Sequence, residues 1–202
     1  MIDLPTKTEV HCSDGVAGHS TYVIFNPNDH RLTNLVVKSD RPPFDEYLVP
    51  VDQVEETTND RIKLKCTRKE LYEMGPFEFE QYIRTRVTEN PDFPYFYPGI
   101  GIKTQEVDTL IPVKTKNILP GEMSVRCGAQ VEATDGPVGQ VDELLINSNN
   151  MQVTHLVLLE RQFLDHRKIT IPVSQIERVY DDTVYLKIDR QSVEQLPTTP
   201  VQ

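Results

Sequence analysis

The chain has 202 residues, with 21 Lys and Arg against 31 Asp and Glu for a formal charge of −10, 15 prolines and no tryptophan. This is the balance of an ordinary soluble globular chain, and its field repels phosphate backbones, so direct nucleic-acid binding is not expected. Apolar runs such as Leu156-Val157-Leu158-Leu159 stop at four residues, where a membrane-spanning helix needs roughly 20; with no secretory signal readable in the first residues, a cytoplasmic protein without a transmembrane segment is expected.

The first predicted strand starts at Val10 and ends at Ser13-Asp14-Gly15, where Asp-Gly chemistry favours a tight turn. Gly18 to Phe25, rich in β-branched and aromatic residues, is the second strand, closed by the turn Asn26-Pro27-Asn28-Asp29. Leu32 to Val37 is a third strand, apolar enough for burial on both sides, and a fourth reaches Leu48-Val49-Pro50-Val51. Proline donates no hydrogen bond, which places Pro50 at a strand end or sheet edge. Glu55 to Lys65 reads as a hairpin turning at Asn59-Asp60. Thr67-Arg68-Lys69-Glu70 then has the pattern of a capping box opening a short helix whose Leu71 and Met74 pack back on the sheet.

Phe77 to Val87 is expected to be a short helix starting at Pro76, since Phe79, Tyr82, Ile83 and Arg86 recur at spacings of three and four. Beyond it, Asn90-Pro91-Asp92-Phe93-Pro94-Tyr95-Phe96-Tyr97-Pro98-Gly99 sets four aromatics within five positions among three prolines. Such a segment cannot bury every ring within itself. Phe93, Tyr95, Phe96 and Tyr97 are therefore the partner-binding candidates, with packing between two small folded units as the competing role.

The remainder repeats the beginning. Shifted by 121, Val10–Val36 aligns with Val131–Val157 with nine of 27 positions identical, where average composition gives about two. Shifted by 122, Val49–Lys65 aligns with Ile171–Lys187 with seven of 17 identical. Asp14, Gly15 and Gly18 recur as Asp135, Gly136 and Gly139, and are read as turn residues with a glycine where strands approach closely. Asp189 is placed to cap the second copy's helix, before Val193 and Leu196. The acidity divides likewise, with −5 on residues 1–78, none on 79–129 and −5 on 130–202. The domains are therefore a first copy over 1–75, a connector over 76–126 and a second copy over 127–202. Six short strands in so small a unit favour a curled sheet or barrel, and a unit of this size is marginal alone, so the copies are expected to pack on each other or on the connector.

The run Val131-Glu132-Ala133-Thr134-Asp135-Gly136-Pro137-Val138-Gly139-Gln140-Val141-Asp142-Glu143, followed by Thr154-His155-Leu156-Val157-Leu158 and Thr170-Ile171-Pro172-Val173-Ser174-Gln175-Ile176, resembles a PRC-barrel domain, and the first copy is a more diverged version. The resemblance covers about two thirds of the chain and leaves the connector unexplained. It implies a mainly β protein of two tandem small PRC-like barrels, each with a short C-terminal helix, joined by an aromatic, proline-rich connector. Its signature is made of turn and core residues, so it implies a fold and a theme of docking onto larger assemblies rather than a chemistry.

No chemical constellation competes with that theme. Cys12, Cys66 and Cys127 show no CxxC spacing, which disfavours a disulfide framework or zinc knuckle. His11, His19, His30, His155 and His166 form no HxH or HExxH motif, so neither a metal nor a cofactor is expected. His11 and Cys12 are strand neighbours and point to opposite faces. No nucleophile elbow, phosphate loop or dinucleotide fingerprint is present. The expected function is a non-enzymatic protein-binding adaptor or assembly module docking on a larger complex. The alternative is a small-ligand or metal-binding regulatory protein with a pocket between the copies. Exposed edge strands would also let two chains pair as a homodimer.

Overall fold

A computed structural model of the chain describes residues 2–5, 8–58, 60–89, 105–147, 150–161 and 166–199. The order of elements is β1 (Ile2–Pro5), β2 (Glu9–Cys12), β3 (Gly15–Phe25), β4 (Leu32–Ser39), β5 (Glu46–Pro50), β6 (Val54–Thr57), β7 (Arg61–Leu64), α1 (Arg68–Glu73), β8 (Glu78–Glu89) and β9 (Gln105–Lys116). It continues with β10 (Met123–Arg126), β11 (Gln130–Ala133), β12 (Gly136–Asn147), β13 (Gln152–Arg161), β14 (His166–Pro172), β15 (Ile176–Tyr180), β16 (Thr183–Leu186), α2 (Arg190–Glu194) and β17 (Thr198–Thr199). The protein is mainly β. It divides into two compact units, residues 1–77 with 118–202, and residues 78–117.

The larger unit holds two separate sheets, one per copy, built alike. In the first the order is β5-β4-β3-β2-β7-β6; in the second β15-β16-β11-β12-β13-β14-β17. In each, the opening strand of the copy lies antiparallel to the next and parallel to the last hairpin, as β2 does between β3 and β7, and β11 between β12 and β16. The expected barrels are not closed: among the described residues β5 and β6, the ends of the first sheet, do not pair with each other, nor do β15 and β17 in the second. Strands are in addition exchanged between the copies.

β1 lies at the start of the first copy yet pairs with β12 of the second, Ile2 opposite Ile146 through Pro5 opposite Glu143. β10 precedes the second copy yet pairs with β3 of the first, Met123 opposite Phe25 through Arg126 opposite Tyr22. All four residues of each pairing are related by the 121-residue shift, so the exchange is reciprocal. The same pseudo-symmetry governs two crossed main-chain bonds, from Leu32 N–H to Met151 C=O (2.9 Å) and from Val153 N–H to His30 C=O (2.8 Å). His30 and Met151 hold matching left-handed conformations at φ 58° and 54°.

One apolar core follows from this exchange. Val10, Phe25, Leu35, Ile62 and Leu64 of the first copy cluster with Val131, Leu144, Leu156, Leu158 and Leu186 of the second, and Val125 from β10 joins them. Each fully buried Leu, Ile or Phe contributes about 1.5–3 kcal/mol of transfer free energy. Sharing one core solves the problem of two copies too small to bury enough alone. A second cluster of Tyr22, Ile24, Val36 and Phe77, with Leu48 and Ile118 packed against it, forms around the first sheet.

The helices are short and capped as their sequences dictate. Thr67 accepts from Glu70 N–H while the Glu70 side chain accepts from Thr67 N–H, and Asp189 accepts from Ser192 N–H; Leu71 and Val193 are buried. Pro50 and Pro172 are the last residues of β5 and β14.

The helix expected over Phe77 to Val87 is instead strand β8. It pairs with β9 over twelve positions, from Glu78 opposite Lys116 to Glu89 opposite Gln105, as a two-stranded antiparallel ribbon. The spacing of Phe79, Tyr82, Ile83 and Arg86 fits a helix, but Ile83, Thr85, Val87 and Thr88 are β-branched and find a β-branched partner run in Val107, Thr109, Ile111, Val113 and Thr115.

Candidate functional site

The repeated turn residues hold the fold together. Gly15 and Gly136 sit at φ +129° and +138°, conformations that L side chains rarely adopt. Gly18 and Gly139 mark close approaches: a Cβ would lie 1.9 Å from Lys38 O in the first copy and 2.4 Å from Leu159 O in the second. Asp14 and Asp135 reach across to the helix starts, each Oδ1 accepting from a main-chain N–H, that of Arg68 or Arg190, at 2.9 Å. Hydrogen bonds from Arg68, the main-chain one first, hold the Asp14 carboxyl below its ordinary range. Asp14 and Asp135 are thus tethers between hairpin and helix, and their charge is already engaged.

Cys12, Cys66, His11 and His19 are engaged by packing or by neighbouring groups. Cys12 and Cys66 are buried side by side, and burial first, then the neighbouring Cys66, pushes the Cys12 thiol up to about 12. A thiol so raised is a poor nucleophile. His11 faces Glu9, two residues away on the same side of β2, and His19 Nδ1 lies 2.8 Å from Asp40 Oδ1. His155 Nδ1 is buried with no hydrogen-bond partner among the described residues. Lys168 Nζ lies 2.8 Å from Asp142 Oδ2 and 3.5 Å from Glu143 Oε1; the Asp142 hydrogen bond is the main cause of its raised pKa. Among the described residues no three His, Cys, Asp or Glu side chains gather as a metal site.

A polar knot joins the copies. The buried Tyr22 hydroxyl donates to Asp182 Oδ2 at 2.9 Å, Arg126 Nη1 lies 3.5 Å from the same oxygen, and the Arg126 guanidinium carbon sits 5.8 Å from the Tyr22 ring centroid. Burial, then the Asp182 carboxylate, raises the Tyr22 phenol above its ordinary value. These groups form a structural tie, each already matched to another.

The ribbon presents a different surface. Alternation along antiparallel strands puts Phe79, Gln81, Ile83 and Thr85 on one face with Thr115, Val113, Ile111 and Thr109 opposite them. Over these eight positions that face carries no charge. The other face carries Glu78, Glu80, Tyr82 and Arg84 beside Lys114, Pro112 and Leu110, with Lys114 Nζ 3.9 Å from Glu78 Oε2. Phe79, Tyr82, Ile83, Leu110, Ile111 and Val113 are between 37 and 65% exposed. A two-stranded ribbon is marginal by itself in water. The aromatic candidates Phe93, Tyr95, Phe96 and Tyr97 lie between the two strands in sequence and outside the described residues.

The ribbon residues Phe79, Ile83, Ile111 and Val113 were not among the sequence candidates, although the alternation of Val107, Thr109, Ile111, Val113 and Thr115 was available to find half of them. Among the described residues no helix is long and apolar enough to cross a membrane. No protein-family model matches the chain, and no curated protein matches it.

Proposed function

We propose that the chain is a non-enzymatic adaptor or assembly module, a tandem PRC-like body that carries a protein-docking ribbon. The observation that carries this reading is the uncharged, exposed face of Phe79, Ile83, Ile111 and Val113 on a ribbon that has no third strand among the described residues. Apolar and aromatic side chains of this kind are the anchors that dominate protein interfaces. Charge supports the assignment. Residues 78–117 hold five basic and six acidic residues, a net −1, which leaves −9 on the rest of the chain. An acidic partner therefore meets less electrostatic repulsion at the ribbon than at the rest of the chain. The reading includes Phe93, Tyr95, Phe96 and Tyr97 as further anchors, continuous in sequence with both strands.

The test compares two variants in affinity capture from native extract, Ile83→Ser with Ile111→Ser, and Tyr95, Phe96 and Tyr97 all →Ala. Loss of the same captured proteins in both, with the thermal melting of the body unchanged, is the expected result. Unchanged capture in both would end the docking assignment. The ligand-binding alternative, with a pocket between the copies, has no comparable support, because side chains of the common core occupy the junction.

A further inference from the structure

The two edges of the ribbon are unequal. Tyr82 stands opposite Pro112, and the ladder continues through this pair on both sides. Proline has no N–H to give, so this is a pair whose main-chain groups point away from each other. The N–H and C=O of Tyr82 therefore face the outer edge of β8, together with those of Glu80 and Arg84, two residues to either side. The outer edge of β9 lacks a donor at its centre. Among the described residues nothing pairs with the outer edge of β8, and Glu80, Gln81, Tyr82, Ile83 and Arg84 along it are all exposed.

The charges along that edge are self-complementary. Glu78, Glu80, Tyr82, Arg84 and Arg86 alternate along β8 as two acids, an aromatic and two bases. We propose that β8 pairs antiparallel with β8 of a second copy of this chain, Tyr82 opposite Tyr82, to give a four-stranded sheet. In this register Glu80 meets Arg84 of the second copy, and Glu78 is aligned with position 86, an arginine, with the same pairs repeated across the two-fold axis. The outward-facing residues oppose one another in hydrogen-bonded pairs, giving about ten main-chain hydrogen bonds. Centring the pairing on Glu80 or Arg84 instead places like charges directly opposite, which is destabilising, and centring it on Gln81 or Ile83 leaves two opposite-charge pairs across the seam instead of four, so the charges favour this register.

Pairing at β8 leaves the uncharged faces of both ribbons on one side of the larger sheet, with Phe79 opposite Thr85 and Gln81 opposite Ile83. The proposal goes beyond the docking reading and does not depend on it, since it uses the strand edge rather than the apolar face. Docking could fail while pairing stands, and the reverse.

The test is sedimentation equilibrium of the full chain with Arg84→Glu, with Glu80→Lys, and with an equimolar mixture of the two. Wild type is expected at twice the 23.2 kDa chain mass, and each single variant at the chain mass with dimer affinity weakened at least about 10-fold. The mixture is expected to recover the dimer, because the two introduced charges are opposite in sign and meet each other, while the native Glu80 of one variant meets the native Arg84 of the other. Recovery on mixing also shows that each variant has kept its ribbon. A monomeric wild type, a dimer that survives Arg84→Glu, or a mixture that stays monomeric while each variant keeps its β circular dichroism would overturn the assignment. So would a wild type that is monomeric alone and associates only with another protein or with lipid vesicles.

Discussion

The Tyr22–Asp182 hydrogen bond ties the first copy to the second, and its contribution can be worked out from its surroundings. Tyr22→Phe removes a hydroxyl from a residue 4% exposed and leaves the Asp182 carboxylate, whose side chain is 32% exposed, to Arg126 and water. A hydrogen bond to a charged partner contributes about 1.5–3 kcal/mol. Water can reach the abandoned carboxylate here, so a loss of about 1–2 kcal/mol is expected. Asp182→Ala removes the acceptor and also places alanine at φ 53°, which adds about 1–2 kcal/mol of backbone cost. That backbone cost is the same with or without the Tyr22 hydroxyl, so it cancels in a double-mutant cycle, leaving a coupling of about 1–2 kcal/mol. Urea denaturation of the four proteins at neutral pH measures it. A coupling below about 0.3 kcal/mol would refute the claim that this tie holds the copies together.

Other expectations follow from the same structure. Gly139→Ala drives a Cβ into Leu159 O and should cost about 1–3 kcal/mol, and Gly18→Ala, with the closer contact at Lys38 O, at least as much; thermal denaturation reads both. Leu156→Ala empties part of the shared core and should cost about 2–5 kcal/mol, lowering the stability of both copies in one transition; two separate transitions would show that the core is not shared. Asp14 is held below its ordinary 3.8 in the folded state, so its contribution is present above that pH and is lost as pH falls through the lower folded value. Asp14→Asn should accordingly flatten the acid side of the stability profile. Tyr22 is raised above its ordinary 10, so its contribution is complete below pH 10 and declines as pH rises beyond it. Tyr22→Phe should remove that alkaline decline.

The repeat was the most legible feature of the sequence because turns and cores constrain residue type strongly. Asp14-Gly15 and Asp135-Gly136 need their glycines for positive φ, and Gly18 and Gly139 need theirs for want of space, so the pattern that aligned the copies is the pattern that folds them. The exchange of β1 and β10 was not legible. Ile2-Asp3-Leu4-Pro5 and Met123-Ser124-Val125-Arg126 share no identical residue, only alternating apolar positions, and four residues of alternation carry little information on which sheet a strand joins. The ribbon is hidden in the sequence because Phe79, Tyr82, Ile83 and Arg86 satisfy a helical spacing by coincidence. A strand with both faces exposed needs its partner to be recognised, and Gln105–Lys116 is separated from β8 by the aromatic, proline-rich run. The open sheets are not legible either, since the turn and core residues of the repeat do not state whether the end strands β5 and β6, or β15 and β17, meet.

On the proposed function, the ribbon and not the acidic body receives a protein partner. Site-specific photocrosslinking in cells distinguishes the two surfaces, with the reactive residue placed at Ile83, at Ile111, or at Tyr180, a body residue 72% exposed. Discrete protein adducts from positions 83 and 111 and none from 180 are predicted. Adducts of equal strength from position 180, or none from either ribbon position, would contradict the claim.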